Sequence, residues 1–153
     1  MERIASFEVD HRYIVPGIYL SRIDGDITTY DLRTRKPNCG DFMSDSIMHT
    51  FEHLFATYVR NSEIGSKVIY FGPMGCATGF YLLIRNADHG ETLKTVISVL
   101  EQIINHKGEV FGNSEIECGN YKSLNLSAAV EEAKKYLAVL KQNQNTNFKY
   151  PVK

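Results

Sequence analysis

The stretch DSIMHTFEHLFATYVR, residues 45–60, carries two patterns at once. At 100° per residue, Ile47, Phe51, Leu54, Phe55 and Tyr58 fall on one stripe, the face that an amphipathic helix turns toward a sheet. Glu52, Ala56, His49 and His53 share a sector that continues round to the opposite side. A helix is therefore expected from Asp45 or Ser46, either of which can cap it, to about Arg60. One face is ordinary core, and the other is free for chemistry and needs something to cover it.

Working outward, Ile18 to Ile23 and Ile27 to Arg33 are strand-like runs around Asp24-Gly25-Asp26. Asp-Gly is a favoured tight-turn pair, so an antiparallel hairpin is expected. Lys67 to Phe71 and Phe80 to Ile84 read as two further strands flanking a glycine-rich turn, residues 72–79. Leu93, Val96, Ile97, Leu100 and Ile104 repeat at helical spacing, as do Ala129, Val130, Ala133, Leu137 and Leu140. Asn125 or Ser127 can cap the last of these helices. The polar run from Lys141 through Asn147 reads as a frayed tail. Strands and helices do not alternate regularly enough for a parallel sheet. The expected fold is α+β, an antiparallel sheet with helices packed on one face, in a single domain over residues 1–153.

Composition narrows the function. The chain has 153 residues, with 17 basic against 18 acidic, so no broad basic field exists to attract nucleic acid or an anionic membrane. Cys39, Cys76 and Cys118 are an odd number at wide spacing, which fits a reducing compartment rather than a disulfide framework. The charged N-terminus lacks the apolar stretch of a signal peptide, and no run reaches the roughly 18 apolar residues of a membrane span. A soluble, cytoplasmic protein is the expectation.

His49 and His53 are one helical turn apart, so both imidazoles can converge on one cation while Glu52 beside them stays free for proton transfer. His-x-x-Glu-His is the inverted form of a zinc-peptidase signature. A third ligand must come from elsewhere: Cys118, Cys76, Cys39, a remote histidine or a carboxylate. Spacing does not choose among them. A thiol that does not bind the metal but lies near a cation is a usable acid or base at neutral pH.

Six blocks in order carry a family resemblance. They are Ser-Phe-x-x-Asp-His (Ser6 to His11), Asp-Leu-Arg (Asp31 to Arg33), Pro-Asn (Pro37, Asn38), His-Thr-x-Glu-His (His49 to His53), Pro-Met-Gly-Cys-x-Thr-Gly-Phe-Tyr (Pro73 to Tyr81) and Cys-Gly (Cys118, Gly119). In these the chain resembles S-ribosylhomocysteine lyase, the bacterial enzyme that releases homocysteine and the autoinducer-2 precursor 4,5-dihydroxy-2,3-pentanedione. The resemblance implies His49, His53 and Cys118 as ligands of one divalent metal per subunit, Fe2+ in the native state with Zn2+ or Co2+ as substitutes. It implies Glu52 and Cys76 as the acid/base pair, and Ser6, His11 and Arg33 as substrate-binding residues. It further implies a homodimer with the active sites at its interface, and carbonyl migration along the ribose through enediolates, ending in β-elimination. Three departures stand out. Tyr70 and Gly72 replace an acidic residue and a serine, Leu124 replaces a histidine, and Cys39 replaces a basic residue.

Two other readings compete: metal-dependent peptide hydrolysis with Glu52 as base, and a non-enzymatic fold closed by His49, His53, Cys118 and Cys39.

Overall fold

The computed structural model describes residues 1–142 and 147–153. Its sheet has four strands, β1 (Gly17–Asp24), β2 (Ile27–Arg33), β3 (Val68–Pro73) and β4 (Gly79–Arg85), in the order β1-β2-β4-β3 with every pairing antiparallel. Three helices, α1 (Asp45–Arg60), α2 (His89–Ile104) and α3 (Leu126–Gln142), complete the α+β architecture.

The β1–β2 hairpin forms where expected, with a different turn pair. Asp24 faces Ile27, so Gly25 and Asp26 make the two-residue loop, and it is Gly25 that takes the left-handed backbone (φ 61°). The cap of α1 also differs, by one residue, whereas that of α3 is an expected one. Ser44, not Asp45 or Ser46, caps α1 by accepting from the Ile47 N–H, and Asp88 caps α2 by accepting from Glu91. Asn125 accepts from the Ala128 N–H at 3.3 Å and so caps α3.

Strand alternation turns Tyr30 and Leu32 of β2 and Phe80, Leu82 and Ile84 of β4 toward the helices, all essentially without exposure. Helix α1 meets them through stacked rings. Phe51 lies 4.8 Å from Phe80, Phe55 lies 4.2 Å from Phe71, and Phe71 lies 5.1 Å from Phe80. The buried stripe of α1 is Thr50, Phe51, Leu54, Phe55 and Val59, rotated slightly from the expected one. Ile47 and Tyr58 sit at its margin, half-buried, because the Tyr58 hydroxyl reaches His106 Nδ1 (2.6 Å) instead of entering the core.

Of the tail over 141–147 that is expected to fray, only the two ends are described. Lys141 and Gln142 belong to α3, and residues 143–146 lie outside the described part of the chain. Beyond them Phe148 is buried, and its carbonyl accepts from the Leu20 N–H at 2.8 Å, which lays the terminus along β1. The hydrophobic Phe148 within a polar run is what anchors it. No described helix is long and apolar enough to cross a membrane.

Candidate functional site

The polar sector of α1 converges on the loop that precedes α3. His49, His53 and Cys118 bring one potential ligand atom each to within 4.8 Å of one another, and all three are half-buried. The Cys118 Sγ lies 3.3 Å from His49 Nε2, and the two imidazole rings stand edge to face with centroids 4.6 Å apart. Around a tetrahedral cation with bonds of about 2.0–2.3 Å, ligand atoms lie roughly 3.3–3.6 Å apart, so little adjustment is needed.

The tautomers also suit a cation. His53 Nδ1 lies 2.7 Å from the Phe111 carbonyl, which can only accept, so Nδ1 carries a proton and Nε2 is the nitrogen that can ligate. His49 Nδ1 lies 2.7 Å from the Ser123 hydroxyl, which donates onward to the Asn120 carbonyl at 3.0 Å. The hydroxyl therefore accepts from His49, and Nε2 of that ring is again the free nitrogen. Burial, and then the neighbouring His53, hold His49 below its ordinary value of 6.5, with Glu52 opposing, and a neutral imidazole is the ligating form. Two imidazole nitrogens and one thiol converging in this way fit a single divalent metal.

Three bonds moor the Cys118 loop to α1. Beside His49–Ser123, the Ser46 hydroxyl donates to the Ser123 carbonyl (2.6 Å), and the Asn125 N–H donates to the buried Thr50 hydroxyl (2.8 Å). On the other side, Gly112 (φ 71°) packs against His53, where a Cβ would lie 3.1 Å from Nδ1. Glu52 is half-buried beside the histidines, and among the described residues no group pairs with its carboxylate by hydrogen bond or ion pair.

Cys39 lies outside this group. It is exposed, and its thiol donates to the Lys36 carbonyl at 3.0 Å, so the closed four-ligand site is not formed. His89 and His106 are engaged with tyrosine hydroxyls of Tyr30 and Tyr58, which removes the remote histidines as ligands.

The remaining expected residues gather elsewhere, on the far side of the sheet from the helices. Ser6, His11, Arg33 and Cys76 line one groove of about 340 Å³ together with Phe7, Pro73, Met74 and Tyr81, which is room for a small metabolite. None of the α1 residues reaches it. Arg33 is only 2 % exposed, not the solvated charge that its place at a strand end suggests. Asp31, two residues before it and hence on the same face of β2, neutralises it with Nε–Oδ1 at 3.1 Å and Nη2–Oδ2 at 2.6 Å.

The third guanidinium nitrogen, Nη1, donates to the Thr78 hydroxyl at 2.8 Å, and that hydroxyl lies 3.0 Å from the Cys76 Sγ. With its oxygen accepting from Arg33, Thr78 is free to donate to the sulfur. His11 donates Nδ1–H to the Val9 carbonyl at 2.9 Å, leaving Nε2 available. Burial, and then the Asp31 charge, raise the Tyr81 phenol above its ordinary value, so it remains a donor.

Tyr70 and Gly72, set apart by the comparison of sequence motifs, are coupled in the structure. The Tyr70 ring folds along β3 across Gly72, so that a Cβ at 72 would collide with the Tyr70 hydroxyl. Tyr70, Ser6 and Tyr81 line a second, adjoining cavity of about 340 Å³. Leu124 packs against the core, where a histidine would have to be satisfied.

A family model described as S-ribosylhomocysteinase (LuxS) matches residues 4–147. Proteins named S-ribosylhomocysteine lyase are similar along the full length. One from Borreliella burgdorferi (strain ZS7) is 43 % identical, covering 99 % of this chain and 100 % of the relative. Relatives from Finegoldia magna and Clostridium acetobutylicum are 44 % and 42 % identical, each alignment covering 99 % of both chains. The chain belongs to the S-ribosylhomocysteinase family.

Proposed function

We propose that this chain is a metal-dependent carbon–sulfur lyase that cleaves S-ribosylhomocysteine to homocysteine and 4,5-dihydroxy-2,3-pentanedione. The observation that carries the reading is the convergence of His49 and His53, on a helix that also presents Glu52, with the Cys118 thiol of the loop before α3. His49, His53 and Cys118 hold one divalent metal per subunit, Fe2+ in the native state with Zn2+ or Co2+ able to replace it. When bound, the cation supplies Lewis-acid stabilisation of negative charge on the sugar oxygens.

The protein's own groups move the protons. Ser6, His11 and Arg33 bind the ring-opened sugar in the groove, where the guanidinium donates to sugar oxygens and the free His11 Nε2 accepts from a sugar hydroxyl. Cys76 and Glu52 take a proton from one carbon and return it to its neighbour, and two such rounds carry the carbonyl from C1 through C2 to C3. The proton on C4, between that carbonyl and the thioether carbon, is then acidic. Its removal by the basic partner, and departure of the sulfur from C5 as the homocysteine thiolate, complete the β-elimination. Cys76 is suited to this by the Arg33–Thr78 pair that ends on its sulfur, and Glu52 by a carboxylate that no hydrogen bond or ion pair occupies among the described residues.

Glu52 and Cys76 must act on the same sugar, yet in one chain the metal-ligand group and the groove have no residue in common. A homodimer reconciles them, with the groove of one subunit facing the α1 group of the other. Phe7 at the rim of the groove is 63 % exposed, as a surface covered by a partner requires. The whole chain acts as one such domain, a cytoplasmic enzyme with no nucleic-acid or membrane partner.

The test uses two inactive variants. Cys118→Ala loses metal, whereas Cys76→Ala keeps metal and loses turnover. Unfolded, mixed and refolded together, they regain up to about a quarter of wild-type activity, because half of the dimers are mixed and each mixed dimer has one intact site. Recovery no greater than that of either variant alone would show the two groups to act within one chain.

A further inference from the structure

Behind Arg33 stands a residue beyond the segment that the family model matches. Tyr150 is reached only through the C-terminal stretch that Phe148 fastens to β1. Its ring stacks on Tyr19 with centroids 4.8 Å apart, and its hydroxyl donates to Asp31 Oδ2 at 2.7 Å. The same Oδ2 accepts from Arg33 Nη2 at 2.6 Å. Asp31 is fully buried, so its acceptor sites are served by these two partners. Tyr150 also lines a narrow cavity of about 10 Å³ with Ser6, His11, Arg33 and Tyr81, close to the size that admits one water molecule.

We propose that Tyr150 is a positioning residue for Arg33: its hydroxyl fixes the Asp31 carboxylate so that the guanidinium keeps Nη1 turned to Thr78 and its charge toward the groove. The inference rests on the reading of that groove as the substrate site.

A carboxylate with a spare lone pair on Oδ2 can turn about its Cβ–Cγ bond and take the guanidinium with it. With the tyrosine donor in place both oxygens are committed, and the Asp31–Arg33 fork has one orientation. Burial, and then the Asp31 charge, keep the Tyr150 phenol well above its ordinary value, so it stays protonated and donating through the physiological range. The chain of contacts then runs from Tyr150 through Asp31, Arg33 and Thr78 to the Cys76 sulfur. A residue at the C-terminus thereby acts on the groove through two charged groups and without itself taking part in proton transfer.

Tyr150→Phe in the full chain removes the hydroxyl and keeps the ring on Tyr19. Two readouts separate positioning from mere support. In steady-state thiol release, KM for S-ribosylhomocysteine rises about five- to tenfold while kcat falls by no more than about threefold, as expected when a binding contact is loosened and the thiol that moves protons is only modestly perturbed. Independently of substrate and metal, alkylation of Cys76 by iodoacetamide at neutral pH, resolved from Cys39 and Cys118 by peptide mass spectrometry, slows about threefold or more. This second measurement stands even if the lyase reading fails, since it needs no turnover. Wild-type KM together with a wild-type alkylation rate would overturn the proposal. So would a lowered melting temperature at unchanged KM and unchanged alkylation, which would make Tyr150 a structural anchor only.

Discussion

His49 and Ser123 are joined by a 2.7 Å hydrogen bond in which the imidazole Nδ1–H donates to the hydroxyl oxygen. The bond spans 74 residues and aims the other ring nitrogen at Cys118. Partners of this kind behind a ligating histidine typically contribute 10- to 100-fold in metal affinity. Ser123→Ala is therefore expected to weaken metal binding by about that factor without unfolding the chain, read by competition against a chromogenic chelator. An unchanged affinity would mean that the ring is oriented by packing alone.

Acid should act on the same histidine. His49 is held below its ordinary 6.5, by burial first and His53 second. In the pH window between its folded value and 6.5 the unfolded chain binds more protons than the folded one, so stability rises with pH there and levels off above it. The metal-free protein should keep a constant melting temperature from pH 8 to about 7 and lose stability as the pH falls below 6.5. His49→Gln should flatten that fall. A variant whose pH profile overlays the wild type would place the titration elsewhere.

Tyr70 and Gly72 offer a test by exchange. A side chain at 72 must push the Tyr70 ring off β3, a movement that costs little because the obstructing atoms are the far end of an exposed side chain. Gly72→Ser is expected to lower stability by less than about 1 kcal/mol and to change KM several-fold, since Tyr70 walls the cavity that Ser6 and Tyr81 share with the groove. Tyr70→Ala/Gly72→Ser should then behave as Tyr70→Ala alone. If the serine adds its own effect in that double variant, the coupling between the two positions is not the one described.

A buried ion pair ties the segment after β2 to α3. Arg35, just past β2, holds Glu132 of α3 with Nη2–Oε2 at 2.6 Å and Nε–Oε1 at 3.0 Å, the two side chains being 10 % and 3 % exposed. Its other partner, Asp41, lies at the surface. Removing one member of a buried pair costs about 3–5 kcal/mol when the other charge is left alone, and Asp41, which still holds Arg35 after Glu132 is lost, keeps the cost at or below the lower end of that range. Glu132→Ala should lower the melting temperature by on the order of 10 °C. Metal content and turnover of the molecules that remain folded should be unchanged.

Much of this was legible in the sequence, and the exceptions share a cause. The helix of residues 45–60 declares itself because a 3.6-residue period separates Phe51 and Phe55 from His49 and His53 without reference to anything distant. The strands are legible for the same reason, each being a local pattern. Ser123 behind His49 and the Phe111 carbonyl behind His53 were not, since they lie 74 and 58 residues away and one of them is a backbone group with no side-chain signature. The burial of Arg33 was partly readable. Asp31 stands two residues earlier, and in a strand that spacing puts acid and base on one face. Tyr150 gave no such signal, because the polar run before it resembles an unstructured end while Phe148 quietly supplies the anchor.

Release of a new thiol from S-ribosylhomocysteine tests the proposed function most directly. The protein is loaded anaerobically with Fe2+, mixed with the substrate, and the homocysteine formed is followed with a chromogenic thiol reagent. The expected result is catalytic release of one thiol per substrate consumed, lost on chelation and restored by Fe2+, Zn2+ or Co2+. No thiol above the protein-free background, from folded protein with its metal in place, would contradict the lyase reading.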